Sequence, residues 1–195
     1  MRPIKKLLIA ASLLTSTSAF ADLSKLPDGE YRVDPQHGYI LFTYSHLGLS
    51  EPRVGFNRFD ATIDLKPSDP TNSAIAVTID VASVDSRVEA LDGHLRSENF
   101  FDVENHPEIT FTATSIAVAG DGYAITGNVT IKGITQPLTL DAKVASLERH
   151  PIKRVPAIGV SARGKLARSE FDLGDYIPAV SDDVSLIIEA EFLLR

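Results

Sequence analysis

From Ile40 onward, apolar and polar positions alternate with period two through most of the chain, the pattern of strands buried on one face only. Ile40, Phe42 and Tyr44 alternate with Leu41, Thr43 and Ser45, and Phe59, Ala61, Ile63 and Leu65 alternate with Asp60, Thr62 and Asp64. Ile75, Val77, Ile79 and Val81 continue the pattern, and it returns at 109–113, 123–131, 138–144, 158–166 and 184–192. Eight strands are predicted. Gly120-Asp121-Gly122 and Gly133 carry the residues of tight hairpins, while Pro67 and Pro70 mark a longer loop. Short links between successive strands make neighbours antiparallel, because parallel pairs need long crossovers.

One stretch departs from this period. Val88, Leu91 and Leu95 fall at helical spacing, and Ser86 with Glu89 matches a capping box. The spacing predicts one short helix over 86–95, between the third and fourth strands.

Eight antiparallel strands either close into a barrel or split into two packed sheets, and sequential short links favour an up-and-down barrel. The face opposite the apolar one is Thr, Asp, Asn, Lys, Arg and Glu, with Ile187 and Leu193 as scattered exceptions. A membrane-spanning barrel needs the reverse, an apolar outer band around a polar lumen. The expected fold is therefore an all-β, eight-stranded antiparallel barrel that does not span a membrane and has an apolar interior. Several inward positions are small: Ala61, Ala113, Gly127, Ala142, Ala162, Gly164 and Ala190. Small and large residues alternating in a filled core, or a chamber left open between them, both fit this pattern.

Composition narrows the class. The 195 residues suit one domain, and 44% hydrophobic with 23% charged residues is an ordinary globular balance. Cysteine is absent, which excludes disulfides, thiolate metal sites and a lipid-anchored N-terminus. Arg2, Lys5 and Lys6, an apolar run over 7–14, and Ala19-Phe20-Ala21 together read as a signal peptide cut after Ala21. The apolar run is far below the roughly 20 residues of a spanning helix. The expected organisation is a leader over 1–21 and one exported, periplasmic domain over 22–195. Without the leader's three cations, 16 of the 19 Lys and Arg remain against 26 Asp and Glu, a net charge of −10. Such a surface repels nucleic acid.

Candidate polar chemistry is sparse. His37 and His46 flank the first strand of the alternating pattern, and His94 ends the predicted helix; their spacing matches no metal-ligand pair, so neither metal nor cofactor is expected. Arg87, His94 and Arg96 gather around the helix. They are placed either to meet a polar headgroup at a barrel mouth or to pair with Glu89, Glu98 and Asp102 on a solvated face. No G-x-S-x-G elbow and no G-x-G-x-x-G phosphate loop is present, so no catalytic residue is assigned.

Several segments together resemble the YceI-like family. These are 34–48, opening Asp34-Pro-Gln-His37, then Gly55-Phe56, Ser83-Val-Asp85, and the dense run His94-Leu-Arg96-Ser97-Glu-Asn-Phe100-Phe101-Asp102. The likeness resumes at His106-Pro107, Gly127-Asn-Val-Thr-Ile-Lys-Gly133 and Arg168-Ser169-Glu-Phe171. Gly38 and Asp172 depart from the family's usual Ser and Gly. The resemblance implies a lipocalin-like barrel whose hydrophobic tunnel holds a long-chain isoprenoid lipid or isoprenoid quinone without covalent chemistry. It leaves room for a homodimer. On that reading Ile40, Phe42, Tyr44, Val77, Ile79, Phe111, Ile125, Val129, Leu140 and Val160 line the tunnel, with His37, His46, Arg87, His94 and Arg96 near its ends. An enzyme acting on a lipid in the same cavity, or a filled barrel that only binds an envelope protein, are the alternatives.

Overall fold

Alternation asks that one face of every strand be hidden, and the computed structural model does this by closing the sheet over the residues it describes, 22–195; the expected leader and its cleavage point lie outside the described residues. Among the described residues the strands are β1 (Gly29–Thr43), β2 (Arg53–Phe56), β3 (Phe59–Leu65), β4 (Ala74–Asp80), β5 (Val84–Asp85), β6 (Glu108–Ala119), β7 (Gly122–Ile131), β8 (Ile134–Leu147), β9 (Ala157–Ala167) and β10 (Asp183–Leu194). One α-helix, α1 (Glu89–Arg96), lies between β5 and β6.

Every pairing is antiparallel, and β1 pairs with β10 to close the sheet on itself. The ten segments make eight barrel strands. β2 and β3 both pair with β1, at Ile40↔Phe56 and Tyr31↔Ile63, so they are two halves of one strand interrupted at Asn57 and Arg58. β5 pairs with β2 and prolongs β4 beyond a 3-10 turn at Val81–Ser83. The break is held by Ser83, whose carbonyl accepts from Asn57 N–H at 3.0 Å and whose hydroxyl accepts from Arg58 N–H at 2.9 Å.

The first strand begins eleven residues earlier than the alternation indicates. Asp34, Pro35, Gln36 and His37 stand together opposite Glu191 alone, between the pairs Val33↔Phe192 and Gly38↔Ala190. This bulge hides the strand's period from sequence and accommodates Pro35, which lacks a ladder donor. Asp34 turns back into it, accepting from Gln36 N–H at 3.1 Å and bonding His37 Nδ1 at 3.0 Å.

Tight turns join β6 to β7 through Gly120-Asp121 and β7 to β8 through Lys132-Gly133. Lys132 and Gly133 both have positive φ, 49° and 75°, as a type I′ hairpin requires. The up-and-down order puts the β1–β2 loop, α1 and the β9–β10 loop at one end, which forms the mouth. The chain's start, the β3–β4 loop and the β8–β9 loop meet at the other end, the floor. There a 3-10 turn, Leu23–Lys25, is capped by Asp22, which accepts from Ser24 N–H at 3.2 Å; Leu23 and Leu26 are buried against the barrel base.

The helix forms where its spacing predicts, but the capping box does not. Val88 is the N-cap residue and makes no side-chain cap. Ser86 instead gives both its N–H (2.6 Å) and its hydroxyl (2.5 Å) to Asp92 Oδ1, one turn further along. Asp92 is the better acceptor because it is buried beside the loop, whereas Glu89 is exposed.

Candidate functional site

The core divides into two apolar clusters along the barrel axis, one toward the mouth and one at the floor. The small inward glycines do not create the space between them. A Cβ on Gly127 would meet the Phe111 ring at 2.5 Å, and one on Gly164 would meet Leu140 Cδ2 at 2.6 Å, so larger cross-strand neighbours already fill both positions. Space opens instead where inward-facing Phe42, Tyr44, Leu166, Leu186 and Ile188 keep part of their surface uncovered.

That space is a cavity of about 500 Å³ under the mouth, within the roughly 300–1,000 Å³ range of small-molecule sites. A deeper chamber of about 120 Å³ adjoins it, the two sharing Phe42, Phe56, Ile109, Ile131, Leu166 and Leu186 in their walls. A separate chamber of about 70 Å³ lies at the floor beside Leu23, Ile63, Tyr123 and Val144, and shares no lining residue with the upper two. The walls are almost entirely hydrocarbon and aromatic. Phe42, Phe56 and Phe101 form a ring trio at 5.7–6.4 Å between centroids, and His94, Phe100 and Tyr176 a second at 4.6–6.3 Å. Such edge and offset contacts stiffen an apolar wall without filling it.

The residues expected from sequence separate cleanly in space. Phe42, Tyr44, His46 and His94 line the upper cavity. Ile40, Val77, Ile79, Phe111, Val129 and Leu140 line the deeper chamber, which Phe42 also reaches. Ile125 and Val160 belong to the floor chamber. His37 stays with Asp34 in the β1 bulge, more than half exposed. Arg87 and Arg96 lie on the exposed side of the helix segment; Arg96 donates to the Val84 carbonyl at 3.4 Å and stands 4.0 Å from Asp92. Neither lines the cavity. The acidic partners are thus Asp92 for Arg96 and Asp85 for the Arg87 backbone N–H, at 2.8 Å, rather than Glu89, Glu98 or Asp102.

Arg168 is the charged cavity residue that spacing alone does not find; Leu47, Phe100, Phe101 and Tyr176 also line the cavity without having been expected there. Arg168 is 7% exposed, lines the upper cavity and has no carboxylate within ion-pair distance. All five of its N–H donors go to backbone carbonyls of the β9–β10 loop: Ser181 (2.9 Å), Val180 (3.1 Å), Asp175 twice (3.3 Å) and Leu173. Burial pushes its guanidinium down from the usual range, opposed by the charges of Asp182 and Asp175. Burial likewise pushes the Tyr44 phenol up, with the Arg168 charge opposing. Asp182 is held low chiefly by the Ser169 hydroxyl and N–H, at 2.7 and 2.8 Å, with a smaller contribution from the Arg168 charge. A planar fork saturated by carbonyls is a staple: it fixes one wall of the mouth and leaves a single positive charge beside an otherwise neutral chamber.

The family model described as the YceI-like domain matches residues 31–192. The chain belongs to the YceI-like family. A UPF0312 protein of Pectobacterium atrosepticum is 37% identical over 190 residues, covering 96% of this chain and 97% of the relative. Protein YceI of Salmonella arizonae is 36% identical over 185 residues, covering 94% and 93%. Among solved structures, the Campylobacter jejuni YceI protein superposes with a TM-score of 0.70 at 30% identity, over 77% of this chain and 90% of that one. A polyisoprenoid binding domain from Saccharophagus degradans shares the fold, with a TM-score of 0.65 at 13% identity over 87% and 100%. Within this family the barrel is lipocalin-like, and no helix among the described residues is long and apolar enough to cross a membrane.

Proposed function

We propose that this YceI-like barrel is a periplasmic carrier that holds one long apolar lipid, a polyisoprenoid or an isoprenoid quinone, in its interior without covalent chemistry. The observation that carries this is the stacking of two apolar chambers under the mouth, which share six apolar wall residues; one chain reaching mid-barrel occupies both in this reading. The polyisoprenoid-binding description of the Saccharophagus degradans domain, which has the same fold, supports the ligand class.

Energetics favours a long chain over a small metabolite. Micromolar affinity needs about 8 kcal/mol net. Association costs at least ~4 kcal/mol, and each buried CH₂ returns about 0.8 kcal/mol. Roughly 15 or more carbons must therefore leave water, because the walls offer few hydrogen bonds to make up a shortfall. Ile40, Phe42, Tyr44, Val77, Ile79, Phe111, Val129 and Leu140 contact the hydrocarbon in this reading. His46 and His94 meet the less apolar end near the mouth, beside the Arg168 charge.

Organic extraction of the purified exported protein, followed by mass spectrometry, tests the proposal. A stoichiometric prenyl lipid is the expected result. A protein that is repeatedly empty and takes up no long-chain prenyl alcohol in titration overturns it.

A further inference from the structure

The rim of the mouth is apolar on its outer side as well as its inner one. Leu47 and Leu49 in the β1–β2 loop are 57% and 82% exposed, and Tyr176 and Ile177 in the β9–β10 loop are 60% and 40% exposed. Leu47 and Tyr176 also line the upper cavity, so one continuous hydrocarbon surface runs from inside the barrel to the solvent. Both have positive φ, 56° and 68°, a conformation that bulky residues adopt only where the surroundings enforce it. The enforcement is visible. Leu47 N–H donates to the Ala179 carbonyl at 2.7 Å, Ser181 N–H to the Ser45 carbonyl at 2.9 Å, and His46 bridges Val180, so the two loops are latched into one tip. The tip carries no formal charge over 44–50 or over 176–181, although the chain from Asp22 onward is strongly acidic.

We propose that this tip is a membrane-contact surface, seated in the outer part of a lipid bilayer so that the cargo slides between bilayer and barrel without crossing water. The inference rests on the lipid-carrier reading and adds the route of exchange. A bilayer is the occupant that the surface chemistry selects. It accepts Leu, Ile and Tyr side chains at its interface and asks for no charge partner, and the tip presents none. A cargo too apolar to cross water gains most from an opening that is itself in contact with lipid, which accounts for the uninterrupted apolar path over Leu47 and Tyr176. The acidic remainder makes a zwitterionic surface the favoured one over an anionic one.

The chain has no tryptophan, so a single introduced indole reports on its own surroundings. L49W places it at the tip, and I152W, at a position 81% exposed in the β8–β9 loop, places it at the floor end. With phosphatidylcholine vesicles, L49W fluorescence should shift to the blue and I152W should not. Flotation of the protein with the same vesicles should fall at least tenfold in L49D, and vesicles containing phosphatidylglycerol should bind less at low salt. Extraction of lipid from the same preparations keeps the two readings apart. Lipid-loaded protein with no L49W shift and no flotation overturns the membrane contact and leaves the carrier standing. A blue shift accompanied by concentration-dependent dimerisation without vesicles also overturns it, assigning the tip to a second copy. Vesicle binding by a barrel that never holds lipid overturns the exchange role along with the carrier.

Discussion

Replacing Arg168 probes how the mouth keeps its shape. The guanidinium makes five bonds to four carbonyls of the β9–β10 loop, at Leu173, Asp175, Val180 and Ser181. A hydrogen bond to a charged group contributes about 1.5–3 kcal/mol. The full set does not add, because Arg168 also carries the cost of its own burial and the freed carbonyls at an open mouth can take up water. About 3 kcal/mol is the expected loss in Arg168→Ala, close to the lower end for removing one side of a buried charged network. For a domain of this size that lowers Tm by about 6–12 °C, measured by circular dichroism on protein stripped of lipid. Arg168→Lys should recover less than half of the loss, because three ammonium donors cannot reach four carbonyls in the planar arrangement. Amide exchange should accelerate over 173–181 and remain unchanged in the floor strands. A shift under about 2 °C in Arg168→Ala, or full rescue by Lys, would refute the staple.

Three other substitutions test the remaining pieces. Gly127→Ala drives its Cβ to 2.5 Å from the Thr112 carbonyl and the Phe111 ring and should cost about 1–3 kcal/mol in urea unfolding, whereas Gly93→Ala, with open space on the exposed face of α1, should stabilise by about 0.5–1 kcal/mol; equal effects would be inconsistent with the packing described. Leu186→Trp fills the junction of the two upper chambers and should abolish uptake of a long prenyl alcohol with little change in unfolding midpoint, so retained uptake places the lipid elsewhere. Asp34 is held below the usual carboxylate range, first by the His37 hydrogen bond and then by Gln36 N–H and the Lys153 charge, with burial opposing. A depressed folded pKa gives stability that is present above the unfolded value, about 4, and is lost as pH falls through the folded one. Asp34→Asn should therefore be the less stable protein at pH 7, with the gap closing below about pH 4; a gap constant down to pH 3 would show that the carboxylate charge is not what matters.

The barrel was legible because closing an antiparallel sheet forces the same period-two rule on every strand, and Ile40-Phe42, Phe59-Ile63 and Val184-Phe192 all obey it. What was hidden lay where that rule is suspended. The Asp34–His37 excursion concealed the first half of β1, since a bulge shifts which residues face inward. Ser86 and Glu89 had capping-box spacing, but a third partner, Asp92, is buried next to Ser86, and no local motif reveals that competition. The inward strand positions followed from alternation, but the single tunnel expected for all ten did not form: Ile125 and Val160 line the separate floor chamber, and the other eight line the two upper ones. Arg168 did not follow from spacing, because a lone cation before a loop gives no sign that its partners are main-chain carbonyls up to 13 residues later. Arg87 and Arg96 looked equivalent to His94 around the helix, yet Arg87 precedes it and, of the three, only His94 lines the cavity.

The floor has a consequence of its own. Leu23 and Leu26 are tucked under the strands there, and the lowest pocket shares no wall residue with those above. On the carrier reading, a guest enters and leaves by the mouth, tail foremost, so its two ends are not interchangeable. A carrier of that form would gauge its contents from within: molecules shorter than the two upper chambers vanish inside, and longer ones are left with their polar end standing in the doorway.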